Sequence, residues 1–257
     1  MKTFSSMTKR NVKLFFKDKA MFFTSLITPM ILLVLYMTFL AKVYRDSFAA
    51  AVPDGLELDA KLVNGMVGGE ILSSILAVCC VTVAFCSNLL MVNDKVSGAR
   101  KDLLISPTKK STFALSYYVA TLFSTLIISV VATVACFVYV ACQGWYLSFV
   151  DVLLVFLDVF LLTMFGTALS SCVNVFLSTN GQASAVGTIV SAGYGFICGA
   201  YMPISSFGTG LQTVLGFLPG TYGTSLLRNH ALAGVFREMA KQHYPADVIE
   251  KIKDSVD

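Results

Sequence analysis

Apolar residues gather in long runs along this chain, and charged residues crowd between the runs instead of alternating through them. Five stretches are almost free of charge: Ala20 to Ala41, Ile71 to Val92, Phe113 to Cys142, Phe149 to Val173, and Gln182 to Met202. About twenty apolar residues wound as a helix match the hydrocarbon thickness of a bilayer, so each stretch predicts a membrane-spanning α-helix. The first run is too long for a secretory signal, and four more follow it. The expected fold class is an all-α integral membrane protein, a polytopic helical bundle with five visible spans.

The flanks carry weaker patterns. Residues 1–19 mix Phe4, Met7, Leu14, Phe15 and Phe16 with lysines at a spacing compatible with one helical face. This suits either an amphipathic helix lying in the headgroup layer or a basic arm without fixed structure. Beyond Met202, the breakers Pro203, Gly208, Gly210, Gly216, Pro219, Gly220 and Gly223 cut an apolar stretch into pieces too short to cross. Residues 203–236 are therefore predicted to form external re-entrant helices shielded by protein. Residues 237–257 turn polar, and Val248, Ile249, Ile252 and Val256 follow Pro245 at helical spacing, which predicts a small amphipathic helix. Five spans from an inside start leave the carboxyl end outside. A sixth span is thus expected in a continuation of roughly forty residues.

Composition excludes a soluble enzyme. Of 257 residues, 56% are hydrophobic and 13% charged, whereas soluble domains average roughly a quarter charged. The net charge of +4 hides an asymmetry. Lys2, Lys9, Arg10, Lys13, Lys17 and Lys19 precede the first span against Asp18 alone, and the loop after the second span holds Lys95, Arg100, Lys101, Lys109 and Lys110. The loop after the first span is slightly acidic, with Asp46, Asp54, Glu57 and Asp59. Lysine and arginine accumulate inside, so the amino terminus is expected in the cytoplasm; the expected location is the cell membrane of a bacterium. The seven cysteines all sit in or beside apolar runs and read as small reduced hydrophobes, and His230 and His243 lie apart from them, so no metal site is expected.

No G-x-x-x-x-G-K-[S/T] occurs, and Gly68-Gly69-Glu70 lacks the lysine that holds phosphate. No Ser, His and Asp set stands in register. No catalytic residue and no cofactor is therefore expected in this chain. Two carboxylates interrupt the fourth span, and burying one costs at least a few kcal/mol. Asp151 is near the outer end, and Asp158 is about 10 Å deeper on nearly the same face. Asp158 reads as a proton or cation relay, or as a structural group held by neighbours inside the bundle. In the loop Asn93 to Ser111, charges surround Val96, Leu103, Leu104 and Ile105 before Pro107. That suits a short helix docking in a partner's groove, or a solvated turn. In the fifth span Gly187, Ser191, Gly195 and Gly199 recur every four residues, a stripe that lets a neighbouring helix approach, from this chain or from another subunit.

Three blocks then stand in order: RNVKLFFKDKAMFFTSLITPMILLVLY from Arg10, DKVSGARKDLLISP from Asp94, and GAYMPISSFGTGLQTVLGFLPGTYGTSLLR from Gly199. Together they resemble the type-two ABC exporter permeases, which include drug, polysaccharide and lipid exporters. The resemblance implies that residues 1–19 form a cytoplasmic connecting helix, residues 20–202 the transmembrane domain, and residues 94–107 the coupling helix that docks on the ATPase. The coupling residues it implies are Asp94, Lys95, Gly98, Arg100, Leu103, Leu104 and Pro107. It implies that the second and fifth spans border the dimer axis and the translocation path, with Ser74, Thr82 and Asn88 on one and Gly187, Thr188, Ser191, Tyr194, Gly195 and Gly199 on the other. Expected partners are two ABC ATPase subunits, which would bind ATP and magnesium, a second permease copy or paralogue, and the lipid bilayer, with no nucleic acid. The competing readings are an ion-coupled secondary transporter or channel without an ATPase, and a scaffold or immunity protein that transports nothing.

Overall fold

The computed structural model describes residues 2–36, 38, 41–50, 59–105 and 108–256, and no strand occurs among them. The α-helices are α1 (Lys2–Lys17), α2 (Lys19–Leu35), α3 (Ala41–Ala50), α4 (Ala60–Val96), α5 (Ala99–Leu104), α6 (Lys110–Gln143), α7 (Phe149–Asn174), α8 (Asn180–Ile197), α9 (Thr209–Leu215), α10 (Pro219–Lys241) and α11 (Ala246–Val256). Among the described residues, α4, α6 and α7 are long and apolar enough to cross a membrane, and the bent pair α1–α2 makes a fourth if counted as one. Five apolar runs thus yield fewer qualifying helices. α2 has only 17 residues. α8 opens on polar Asn180 and Gln182, and Gly199, at φ +74°, turns the chain short of Met202.

Asp18 separates α1 from α2, and the pair bends by 72° there. Its carboxylate accepts the Met21 N–H at 3.1 Å, capping the new helix as the old one ends.

Packing divides the chain into two compact units: residues 1–29, 79–129 and 160–194 in the first, and 30–78, 130–159 and 195–257 in the second. Each long helix contributes one part to each.

In the first unit α7 lies directly on α4. A Cβ added at Gly166 would stand 2.9 Å from the Val81 Cα and 3.0 Å from the Cys80 carbonyl oxygen, so only a glycine permits this approach. Nearby, the Asn88 amide donates to the Ser170 and Ser171 hydroxyls at 3.2 and 3.1 Å. α1 is a helix that buries Met7, Asn11 and Phe15, one residue per turn, and leaves Phe16 exposed. Met7 joins Met91, Phe113 and Tyr117 in an apolar cluster.

In the second unit the chain after Met202 forms short pieces as far as Leu218, a 3-10 turn at Ile204–Ser206 and α9, and then a continuous helix, α10, of 23 residues. Pro219 starts it, where its missing N–H is harmless. A glycine inside a helix costs about 1 kcal/mol in propensity, and here close packing offsets that cost. A Cβ at Gly234 would stand 2.1 Å from the Tyr146 carbonyl oxygen, and one at Gly69 of α4 would stand 3.0 Å from the Ala231 carbonyl oxygen. These glycines are therefore contact points between helices. α7 begins with a capping box: the Ser148 N–H and hydroxyl donate to Asp151 at 2.7 and 2.9 Å, and the Asp151 N–H returns a bond to the Ser148 hydroxyl at 3.4 Å. α11 buries Val248 and Ile252 and packs on α3 and α10. No disulfide joins the seven cysteines, and Cys142 and Cys172 are exposed.

Candidate functional site

The loop between α4 and α6 is held from three sides within the first unit. α4 ends at Val96, and Gly98, at φ +82°, turns the chain into α5. That left-handed conformation favours glycine, and nothing lies within 4 Å of where its Cβ would stand. One turn earlier, the buried Asp94 accepts hydrogen bonds from the Arg10 guanidinium at 2.8 and 3.2 Å and from the Tyr117 hydroxyl at 2.5 Å. Three helices, α1, α4 and α6, meet at one carboxylate. The hydrogen bond to Asp94 raises the Arg10 pKa above its usual value, against the opposing effect of partial burial.

Lys95 performs a second fastening. Its ammonium donates to the carbonyls of Asn174, Val175 and Leu177 at 2.9, 2.7 and 2.9 Å. These are carbonyls at the carboxyl end of α7, which lack intrahelical partners and carry partial negative charge.

The residues expected to face a partner therefore divide. Asp94 and Lys95 point into the protein, and Leu103 packs on the Met7, Met91, Phe113 and Tyr117 cluster. Arg100 is exposed, as are Val96 at 49% and Ile105 at 83%. The apolar ridge toward solvent consists of these last two, because the α5 helical turn rotates Leu103 inward. The Leu104 side chain and Pro107 lie outside the described residues.

On α4, Ser74, Thr82 and Asn88 are all buried, so the folded chain itself gives them no open face. On α8 the stripe is not uniform. Gly187 faces open space and Thr188 is exposed, its hydroxyl bonded to the Ser184 carbonyl at 2.9 Å. Ser191 is half-buried and Tyr194 buried. Gly195 lies under the Tyr201 ring, which a Cβ there would meet at 2.2 Å, and Gly199 makes the left-handed turn against Ile204.

Among the described residues of the second unit, three ion pairs join α10 to another helix. Arg228 meets Glu70 of α4 at 2.8 Å, with side chains 4% and 0% exposed. His230 meets Asp158 of α7 at 2.6 Å, and Arg237 meets Asp151. Arg228 also donates to the Gly199 carbonyl at 2.8 Å, pinning the turn that ends α8. A nearby bond from the Tyr36 hydroxyl to the Ala200 carbonyl, at 2.6 Å, holds the next residue.

A family model described as ABC-2 type transporter matches residues 2–231. The chain belongs to the ABC-2 type transporter family. No curated protein and no solved structure matches it. As an ABC-2 permease it is an all-α, multi-pass membrane protein and a transport subunit, with no catalysis of its own.

Sequence reasoning about this permease missed Arg10, Tyr117, Glu70, Arg228, His230 and Arg237. In the sequence Arg10 reads only as basic charge, because its partner lies 84 residues away. Glu70 reads there only as the end of a glycine motif. A usable signal was present: Glu70, Asp151 and Asp158 are acids in or beside apolar runs, and such acids need partners. Three basic or titratable residues, Arg228, His230 and Arg237, follow in one later segment. The Ser148-x-x-Asp151 spacing was also legible as a capping box.

Proposed function

We propose that this ABC-2 permease is an ATP-driven exporter subunit that works with a second permease, identical or related, and two cytoplasmic ATPase subunits binding ATP and magnesium. The ATPases press on the exposed side of the α4–α6 loop, at Val96, Arg100 and Ile105. Its place is a bacterial cell membrane, and the positive-inside balance supports a cytoplasmic amino terminus there. The observation that carries the proposal is the clamp at Asp94. Because Arg10 and Tyr117 both hold it, and Lys95 holds the end of α7, a push on the loop reaches α1, α4, α6 and α7 together. Rigid elements tied in this way transmit displacement as rigid-body motion.

The test is to purify the permease with its ATPase partner in proteoliposomes. Ile105→Asp puts a charge on the exposed ridge without disturbing the interior, and Gly98→Pro forces φ from +82° to about −65°. Both variants are expected to insert normally and to lose at least about tenfold in transport coupled to ATP hydrolysis, the counterpart of roughly 1.4 kcal/mol. Normal transport in both would remove the docking role. In the same assay Asp158→Asn, which keeps a hydrogen-bonding partner for His230, is expected to transport as the wild type does. Loss of transport there would favour the ion-coupled reading.

A further inference from the structure

Beside the clamp, within the first unit, the ends of α4, α6 and α7 enclose a cavity of about 190 Å³. Lys95, Arg100 and Lys110 line it, over a floor that includes Met91, Phe113 and Val175, and no carboxylate is among its lining residues. The Lys95 ammonium is bonded to backbone carbonyls, which satisfy its hydrogens without neutralising its charge, and the charge of Arg100 acts against it. Lys110 is the first residue of α6, where unsatisfied backbone N–H groups add partial positive charge. Asp94, the nearby acid of α4, is already engaged by Arg10 and Tyr117.

The cavity thus joins an uncompensated cationic rim to a hydrocarbon-like floor. It lies just beyond the apolar runs Ile71 to Val92 and before the body of Phe113 to Cys142, at the level where a bilayer places its headgroups. A free anion satisfies only the rim, and a neutral apolar molecule only the floor. Its volume is below the roughly 300 Å³ at which pockets begin to bury drug-sized molecules, so it suits a headgroup and the first carbons of a chain, not a whole cargo. We propose that this cavity binds the phosphate headgroup of an anionic phospholipid, with the acyl chains leaving over Met91, Phe113 and Val175. Basic pockets between spans on the cytoplasmic side are the general setting for such recognition. The proposal does not depend on the ATPase or on export.

The test is native mass spectrometry of the purified full chain in mixed micelles of dioleoylphosphatidylglycerol and dioleoylphosphatidylcholine. The wild type is expected to retain phosphatidylglycerol preferentially. Arg100→Gln with Lys110→Gln removes two exposed cations and is expected to weaken that binding about 25-fold, about fivefold for each. Lys101→Gln with Lys109→Gln removes the same charge outside the cavity and is expected to leave binding unchanged. Arg100→Lys with Lys110→Arg keeps both charges and should bind as the wild type does, which separates loss of charge from loss of fold. Absence of a lipid preference in the wild type, or an equal loss in the Lys101 and Lys109 variant, overturns the proposal. So does displacement of the lipid by millimolar inorganic phosphate, which would make this a site for soluble anions.

Discussion

Arg228→Ala is expected to destabilise the permease by about 3–5 kcal/mol, the range for breaking a buried ion pair by removing one partner. Glu70 is fully buried and loses its 2.8 Å contact with the guanidinium, while the Gly199 carbonyl loses the donor that holds the end of α8. The readout is the thermal midpoint of detergent-purified protein, followed by size-exclusion chromatography. Glu70→Gln combined with Arg228→Met removes both charges and should recover most of the loss, because no charge is then left buried alone. Arg237→Ala is the internal control: Arg237 is 51% exposed and Asp151 keeps its Ser148 cap, so the cost should stay below about 1 kcal/mol. An Arg228→Ala protein as stable as the Arg237→Ala protein would show that burial at Glu70 carries no penalty.

The second large effect is expected at the clamp, where the two partners should differ in a defined direction. Arg10→Ala leaves Asp94, only 8% exposed, with Tyr117 alone, and the cost should be about 2–3 kcal/mol, the desolvation penalty of a poorly compensated buried charge. Asp94→Ala leaves Arg10, which is 32% exposed and regains water, and takes the acceptor from the buried Tyr117 hydroxyl, so the cost should be about 1 kcal/mol, less than for Arg10→Ala. Transport should not follow this order. Both variants untie α1 from α4, so both are expected to lose at least about tenfold in ATP-coupled transport, worth about 1.4 kcal/mol. Tyr117→Phe keeps the Arg10 bond and should fall between wild type and the two others. Thermal melts give the first comparison and proteoliposome transport the second. Equal stabilities for Arg10→Ala and Asp94→Ala, or transport that tracks stability alone, would contradict the clamp as a mechanical link.

The legible and illegible parts of this protein differ in range. Helix positions depend on near neighbours, so the apolar runs located α4, α6 and α7, and Pro245 with the spacing of Val248 and Ile252 located α11. The same local rules misjudged α10. They read Pro219, Gly220 and Gly223 as interruptions, whereas Pro219 stands at the start of the helix, where it is tolerated, and Gly220 is buried in its first turn. The α4–α6 loop shows the same limit at the level of a single turn. Its composition located the segment and its charged rim, but an apolar ridge read from sequence has no inside and outside until a core exists nearby. Met7, Met91, Phe113 and Tyr117 supply that core, claim Leu103, and leave Ile105 to solvent.

By itself the amino-acid sequence determined that this chain is a bundle of apolar helices with a basic amino-terminal segment and a charged loop after the second apolar run. Those properties follow from hydrophobic transfer and hydrogen bonding within a helix, which act over a few residues. Tertiary structure decided which charges are shared. It brought Glu70 to Arg228, Asp158 to His230 and Asp94 to Arg10, across 158, 72 and 84 residues respectively. A buried charge is tolerated only where an opposite charge or a hydrogen-bond donor arrives in three dimensions, and arrival depends on how whole helices cross. The spacing of those residues along the chain does not encode it.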